Sequence, residues 1–420
     1  MSASDYHTLL ARQEAMRLRQ SLLSTSSSRT PGGRPGPRSA GAEMVDPYRD
    51  GRHDSVHDQR VITRDLPLVL PLDRLIAHLY DAMFERHPYL RALFPDSMLF
   101  QRAHLEKAFC HLVENLHRPE LIAEHGAALG REHRRLGIRP AHLAVFEEAL
   151  AEGLRRSAEA AWTRELEDAW LRMLRCCVAA MVSGAEAATG EPAYWNAEVI
   201  DHRITRAGTG AAVGVLRVRP GEPYTYRAGQ YASLQSPLLP QAWRPYVVAG
   251  APRPDGELEF HVRVTGPGGV SEALAARTGV GDTLRLGPAR GAMTLDDADL
   301  TARDVLIVAS GTGWATAKAL LRDLADRRPR GRGAHLVLAD VRSRADLYDP
   351  QGLEWLEARC PWLRVSLTPP GTAPPIAGPM ERTAFVCGPP PMVDSAVRAL
   401  VEGGLPAHLV RRDPPSPSRT

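Results

Sequence analysis

The sequence predicts a multidomain chain in three parts: an all-α domain, an antiparallel β-domain, and an α/β domain with a parallel sheet. Three observations carry this reading. From about Leu66 to Gly184 apolar residues recur at helical spacing, with no strand-like alternation. After "TGEPAYW" short alternating segments take over. From "DVLIVASGTGWATAKALL" onward, apolar strands alternate with helical stretches, the βαβ pattern of a parallel sheet.

Bulk composition narrows the function classes. The chain has 420 residues, 44% of them apolar, enough for two or three cored domains. Lys and Arg number 52 against 49 Asp and Glu, a net charge of +3, so there is no electrostatic case for nucleic acid or a membrane surface. Lysine occurs only at Lys107 and Lys318. Cys110, Cys176, Cys177, Cys360 and Cys387 form no C-x-x-C pair, which argues against zinc or a disulfide framework and for a reduced, cytoplasmic setting. The opening "MSASDYHTLLARQEAMRLRQ" lacks a signal peptide's apolar core. No apolar run reaches the roughly 18 residues of a membrane span.

Residues 1–58 read as a helix over 7–24 and a Ser-, Pro-, Gly- and Arg-rich linker, "STSSSRTPGGRPGPRSAG". Three helical stretches follow. In "LDRLIAHLYDAMFERHPYLRALFP", Leu72, Ile76, Leu79, Tyr80 and Met83 share a face, and Phe94-Pro95 ends the stretch. In "FQRAHLEKAFCHL", Gln101, Leu105, Ala108, Phe109 and Leu112 share one. A third carries Leu121, Ile122, His125, Leu129 and His133; Gly137 ends it and Pro140 opens the next helix. A buried imidazole needs a partner for each ring nitrogen. A carbonyl, a carboxylate or iron would serve His133.

The second half opens with strands "AEVIDHRIT", "AAVGVLRV", "YASLQSP", "RPYVVAG" and "ELEFHVRV". The parallel strands are "DVLIVA", "AHLVLAD", "LRVSLT" and "TAFVCG". Gly311-Thr312-Gly313 sits between the first of these and a helix starting near Trp314, where free N–H groups and the helix dipole suit a phosphate. The tail, 413–420, is polar and Pro-rich.

Four motifs in fixed order resemble the ferredoxin–NADP reductase superfamily over about residues 195–410: Arg244-Pro245-Tyr246, Gly269-Val270-Ser271, Gly311-Thr312-Gly313 and Cys387-Gly388-Pro389. The resemblance implies that Arg244 pairs with the FAD pyrophosphate, which suits a planar guanidinium. Tyr246 would pack on the flavin, with Gly229–Tyr231 supporting the site. Gly269, Val270 and Ser271 would hold the pyrophosphate. Gly311, Thr312 and Gly313 would take the nicotinamide dinucleotide, with Cys387, Gly388 and Pro389 at its nicotinamide end. Asp340 points to a ribose hydroxyl, Arg342 and Arg344 to a 2′-phosphate. The chain departs from the family at Val247, where Ser or Thr would meet flavin N5, and in lacking a C-terminal aromatic.

The helical part resembles the globin domain of flavohemoglobins. Phe94 stands 14 residues after Tyr80, Gln101 stands 32 before His133, and His133 to Pro140 reads H-x4-I-x-P. The resemblance implies that His133 ligates haem iron, in preference to His104, His111, His117 or His125. Tyr80 and Gln101 would face bound O2, Leu105 would wall the pocket, and Phe94 would pack on the porphyrin. Glu165, in "WTRELEDAW", would strengthen the proximal imidazole; the partner Tyr of the family is Leu143 here.

The implied organisation is a globin domain (59–190), an antiparallel β-barrel FAD-binding domain (193–295) and an α/β NAD(P)-binding domain (300–412). The implied cofactors are haem b, FAD and NAD(P)H. The implied activity is nitric oxide dioxygenation: electrons pass from NAD(P)H through FAD to haem, where O2 oxidises nitric oxide to nitrate. Two alternatives stand beside it: a globin-coupled O2 or redox sensor, and an NAD(P)H-dependent flavin reductase serving another acceptor.

Overall fold

The computed structural model describes residues 55–412, apart from Asp96, Arg139, Ala207, Thr209, Gln241, Ala302, 328–332 and 373–381. The helix expected at 7–24, the linker and the tail lie outside the described residues. The chain divides into two units, Met1–Glu191 and Pro192–Thr420.

The first unit is helical throughout its described part. Its helices are α1 (Ser55–Val69), α2 (Leu72–Arg86), α3 (Leu99–Glu114), α4 (Pro119–His133), α5 (Pro140–Ala158) and α6 (Arg164–Ala187), with a 3₁₀ segment at Pro88–Leu93. Apolar faces of all six converge on one core in which Ile62, Leu75, Ile76, Leu79, Phe109, Leu150, Leu166 and Trp170 are fully buried. The Thr163 hydroxyl caps α6 by accepting from the Leu166 N–H at 3.2 Å. Gly137, at φ +68°, closes the turn after α4.

Glycine sets how closely α4 and α6 meet. A Cβ at Gly130 would overlap the Met181 carbonyl, and one at Gly184 would overlap the Ala127 carbonyl. At Gly126 it would stand 2.8 Å from the Cys177 carbonyl oxygen. The two backbones therefore pack directly on each other, and the end of α4 that carries His133 has little freedom to shift.

The second unit holds two sheets. The first comprises β1 (Trp195–Arg206), β2 (Ala212–Pro220), β3 (Tyr231–Gln235), β4 (Arg244–Val247), β5 (Leu258–Arg263) and β6 (Thr283–Leu286), in the order β4-β3-β6-β1-β2-β5. Its edges meet: Val248 bridges Phe260, and the Ala249 N–H donates to the Glu259 carbonyl at 2.7 Å. Closure makes a barrel, which removes free strand edges.

The second sheet is parallel. It comprises β7 (Asp304–Ser310), β8 (Ala334–Ala339), β9 (Leu363–Thr368), β10 (Arg382–Cys387) and β11 (Val410–Arg412), in the order β11-β10-β7-β8-β9. Helices α7 (Trp314–Arg327), α8 (Pro350–Arg359) and α9 (Pro390–Glu402) follow β7, β8 and β10. Strand β11 was not among the expected elements. It is three residues long and is held by Arg411, which reaches Asp296 at 2.5 Å and Asp299 at 2.9 Å; alternation cannot announce so short a strand.

Gly130→Ala is expected to destabilise the helical unit by about 1–3 kcal/mol, the usual cost of overpacking, read by denaturant unfolding. Gly190→Ala, which meets nothing within 4 Å, serves as the unchanged control.

Candidate functional site

In the helical unit, α4 presents His133 at its last position. Nδ1 donates to the Leu129 carbonyl, one turn back, at 2.8 Å. That bond leaves Nε2 as the unprotonated nitrogen. Burial lowers the pKa of the ring, so the imidazole is neutral, as metal ligation requires. The arginines beside it are committed elsewhere. Arg134 donates to the Ala188 and Glu191 carbonyls at 2.5 and 2.8 Å, and Arg135 pairs with Glu132 at 2.7 Å.

An aromatic cluster lies on α2 and the corner that follows. Tyr80 stacks on Phe84 at 5.9 Å between centroids, and Phe94 meets both edge-on, at 5.7 and 5.4 Å. Burial pushes the Tyr80 phenol up to about 12, so it remains a hydrogen-bond donor at neutral pH. Leu105 and Leu143 pack on the same core. On α3, the Gln101 amide oxygen is buried and has no hydrogen-bond partner among the described residues. Leaving such an acceptor unpaired is costly, so a group that donates to it would be stabilised there; the donor of the same side chain is Nε2.

Two helpers escaped the sequence reading. Phe84, one turn after Tyr80, links the two aromatics. Arg91 holds the corner by donating to the Phe94 and Pro95 carbonyls at 3.3 and 2.7 Å. Phe84 was findable from its i+4 spacing; Arg91 acts through backbone carbonyls, for which sequence carries no signal.

The competing histidines sit differently. His104 is exposed and caps the Phe100 carbonyl at 2.9 Å. His117 is exposed. His111 and His125 stack on each other at 4.4 Å.

Glu165 requires correction. Its carboxylate, 45% exposed, pairs with Arg64 and His57, each at 3.2 Å. The start of α6 turns it towards α1, while the Nδ1 it was expected to support is held by the Leu129 carbonyl. It does not orient His133.

The second unit offers two cradles. Strands β3 and β4 set Tyr231 opposite Val247 and Ala232 opposite Tyr246, with Arg244 at the start of β4. Arg244 donates to the Trp243 carbonyl at 2.9 Å. Tyr231 rests on Gly291, where φ is +108° and a Cβ would press on its ring at 3.2 Å. Gly229 is constrained likewise: φ is +89° and a Cβ would overlap the Met293 carbonyl. Gly269 begins a helical turn, Val270–Glu272, that continues as a π turn, Ala273–Arg277. Val270 packs in the same core cluster as Tyr246. The Ser271 hydroxyl is turned inward to Thr265, at 2.8 Å from its hydroxyl. What the turn presents is its backbone: nothing lies within 4 Å of a Cβ at Gly269, and the carboxylate of Glu272 already accepts the Gly268 N–H at 2.5 Å, as a phosphate oxygen could.

The other cradle is at the switch point of the parallel sheet. Connections leave β7 and β10 in opposite directions, and ligands bind in α/β sheets at such a crevice. Gly311-Thr312-Gly313 and Cys387-Gly388-Pro389 form its two walls. Gly311 has φ +55° and open space on its Cβ side. A Cβ at Gly313 would overlap the Cys387 carbonyl. The Cys387 thiol is fully buried and donates to the Gly313 carbonyl at 3.2 Å, so it locks the walls together and does not face the crevice. At the lip, Asp340 adopts φ +62° and accepts from the Ser310 hydroxyl at 2.7 Å. Arg344 is tied to Glu357 at 2.6 and 2.7 Å; Arg342 is exposed.

Comparison with known proteins agrees with this partition. Residues 77–181 match the globin family, and residues 213–294 match the oxidoreductase FAD-binding domain. The ferredoxin–NAD(P)+ reductase component of a naphthalene 1,2-dioxygenase/salicylate 5-hydroxylase system from Ralstonia sp. is 32% identical over 46% of this chain and 62% of its own length. A flavohemoprotein from Bordetella pertussis is 25% identical over 81% of this chain and 93% of its own. The chain spans about six tenths of the length of the first curated relatives it matches. The crystal structure of a flavohemoglobin from Malassezia yamatoensis, with bound FAD and haem, aligns with TM-score 0.66 at 19% identity, over 85% of this chain and 98% of that one. A helical domain, an antiparallel barrel and a parallel-sheet domain in one chain is the fold shared with that flavohemoglobin structure.

Glu165→Gln is expected to leave both the thermal unfolding and the haem absorption spectrum of the purified chain at wild-type values. A displaced Soret band would restore Glu165 to the proximal site.

Proposed function

We propose that this chain, built on the flavohemoglobin plan, is an NAD(P)H-dependent oxidoreductase that converts nitric oxide to nitrate. The observation that carries the reading is His133: a neutral imidazole with Nδ1 held by a carbonyl and Nε2 left for a metal, in one chain with a glycine-walled dinucleotide crevice. Haem at His133 would supply O2 binding and one-electron chemistry, and FAD would divide a hydride into single electrons.

The chain's own residues do the rest. His133 Nε2 would hold the haem iron through its lone pair. Tyr80, protonated at neutral pH, and the Gln101 amide Nε2 would supply hydrogen-bond donors to a ligand in the pocket. Phe94, held by Arg91, and Leu105 keep the pocket apolar. Arg244 and the Gly269–Ser271 turn would hold the FAD pyrophosphate, and Tyr231 and Tyr246 would pack on the flavin. The Val247 side chain offers the flavin no hydrogen-bond donor. The setting we propose is cytoplasmic. No helix among the described residues is long and apolar enough to cross a membrane.

One observation favours a second reading, a reductase serving a separate acceptor. Over 46% of its length the chain is 32% identical to the Ralstonia reductase component, against 25% over 81% of its length to the Bordetella flavohemoprotein. Nitric oxide consumption by the purified, haem- and FAD-loaded chain separates them. Rapid NAD(P)H-dependent loss of nitric oxide supports the dioxygenase. NADH oxidation without it supports the reductase. His133→Ala should abolish the Soret band and keep the flavin absorbance.

Tyr80→Phe and Gln101→Ala should each speed O2 release. A charge-assisted hydrogen bond contributes about 1.5–3 kcal/mol, so stopped-flow release should quicken about ten- to a hundredfold. Unchanged rates in both variants would remove them from the distal face.

Asp340 sets a nucleotide preference. Its carboxylate can accept from a ribose hydroxyl and repels a 2′-phosphate, and Arg344 is occupied by Glu357. NADH should therefore reduce the flavin more efficiently than NADPH by about tenfold or more, equivalent to ~1.4 kcal/mol. Asp340→Ser should narrow that ratio.

A further inference from the structure

The second unit buries a lysine. Lys318 on α7 is 2% exposed, and its ammonium donates to Glu259 Oε1 and Asp349 Oδ2, both at 2.7 Å. Glu259 and His261 come from β5 of the barrel. Tyr348 and Asp349 come from the segment between β8 and α8. A full charge is buried only when paired, and this one has a carboxylate from each side of the domain junction.

The donor direction is settled at each link. Glu259 Oε1 can only accept, so His261 Nε2, 2.8 Å away, carries the ring proton. His261 Nδ1 then accepts from the Tyr348 hydroxyl at 2.8 Å. Trp314 Nε1 donates to Asp349 Oδ2 at 2.9 Å, and Arg203 from β1 lies 3.6 Å from Asp349 Oδ1. Lys318 and Arg203 balance the two carboxylates, with His261 neutral. Glu259, His261 and Asp349 bring three potential metal-ligand atoms within 4.8 Å of one another. The Lys318 ammonium stands against both carboxylates and is the cation of this group.

Its ends touch both halves of the reaction site. On one side, Trp314 is the residue directly after Gly313, and Tyr348 is buried in the same core as Trp314 and Cys387. Gly313 and Cys387 are themselves in backbone contact. On the other side, the Glu259 carbonyl accepts the Ala249 N–H, and Phe260, between Glu259 and His261, bridges Val248. Val248 is the residue after Val247, at the end of the strand proposed to carry the flavin.

We propose that Lys318 is a positioning residue for hydride transfer. Its buried clasp holds the dinucleotide crevice in register with the flavin strand. The inference rests on the reading that this unit binds FAD and a nicotinamide nucleotide. Transfer needs the reacting atoms roughly 3–3.5 Å apart, and a 1 Å displacement can slow it about a hundredfold. Losing the ammonium leaves two carboxylates facing each other across the junction.

The test uses the full chain loaded with its cofactors, as wild type, Lys318→Met and Tyr348→Phe, with two readouts. In anaerobic stopped-flow reduction over a range of NADH, Lys318→Met should lower the limiting rate about ten- to a hundredfold. FAD content should be retained, and the half-saturating NADH should change by less than about threefold. In hydrogen exchange, peptides over 257–263 and 345–352 should exchange faster, with those over α9 (Pro390–Glu402) unchanged. A limiting rate within twofold of wild type, or exchange that rises uniformly across the unit, overturns the proposal. If Lys318→Met fails to retain FAD, Tyr348→Phe decides. A slowed limiting rate with full FAD supports the clasp, and an unchanged rate overturns it. If wild-type flavin is reduced by neither NADH nor NADPH, it is the functional reading that fails. Hydrogen exchange at the two junction peptides then decides the clasp: selective loosening in the variants supports it, and none overturns it.

Discussion

The second unit depends on one close approach of two backbones. Gly313 lies so near the Cys387 carbonyl that no Cβ fits between them. This contact brings the ends of β7 and β10 together at the point where the sheet's connections diverge. The crevice, its open side at Gly311, the buried Cys387 thiol and the Asp340 lip all follow from it. Any side chain at Gly313 would spread the two walls, and the crevice would lose its shape before it lost any polar contact.

The helical unit obeys a similar constraint. Gly126, Gly130 and Gly184 let α4 and α6 touch backbone to backbone. That fixes the C-terminal turn of α4, whose last residue is His133. The Leu129 carbonyl then fixes the ring tautomer. Rigid helix contact and one local hydrogen bond prepare the imidazole without Glu165, so the loss of that expected contact leaves its geometry intact. In both units glycine acts by admitting backbone, and the polar chemistry is arranged around that.

Much of the architecture was legible because it repeats. Helical spacing marked α2, α3 and α4, and alternation marked the barrel strands; both are direct consequences of burying one face. Tyr80 and Leu105 were assigned inward from that spacing, and they pack in the helical core. Glu165 was misjudged because its position on α6 says nothing about what α1 places opposite, and α1 supplies Arg64 and His57. The β11 strand was missed because three residues carry no period.

By itself the sequence determined the succession of domains, the helix and strand faces, and the glycine loops, since each is written in local spacing. Only the tertiary structure decided which walls form the crevice, that Cys387 points away from it, and that Arg344 is occupied by Glu357. It alone revealed that Lys318, an isolated cation in the sequence, is held between carboxylates 59 residues before it and 31 after it. Partners so distant along the chain leave no local pattern. Whether a buried charge is stabilised depends on atoms that meet only when the chain has folded.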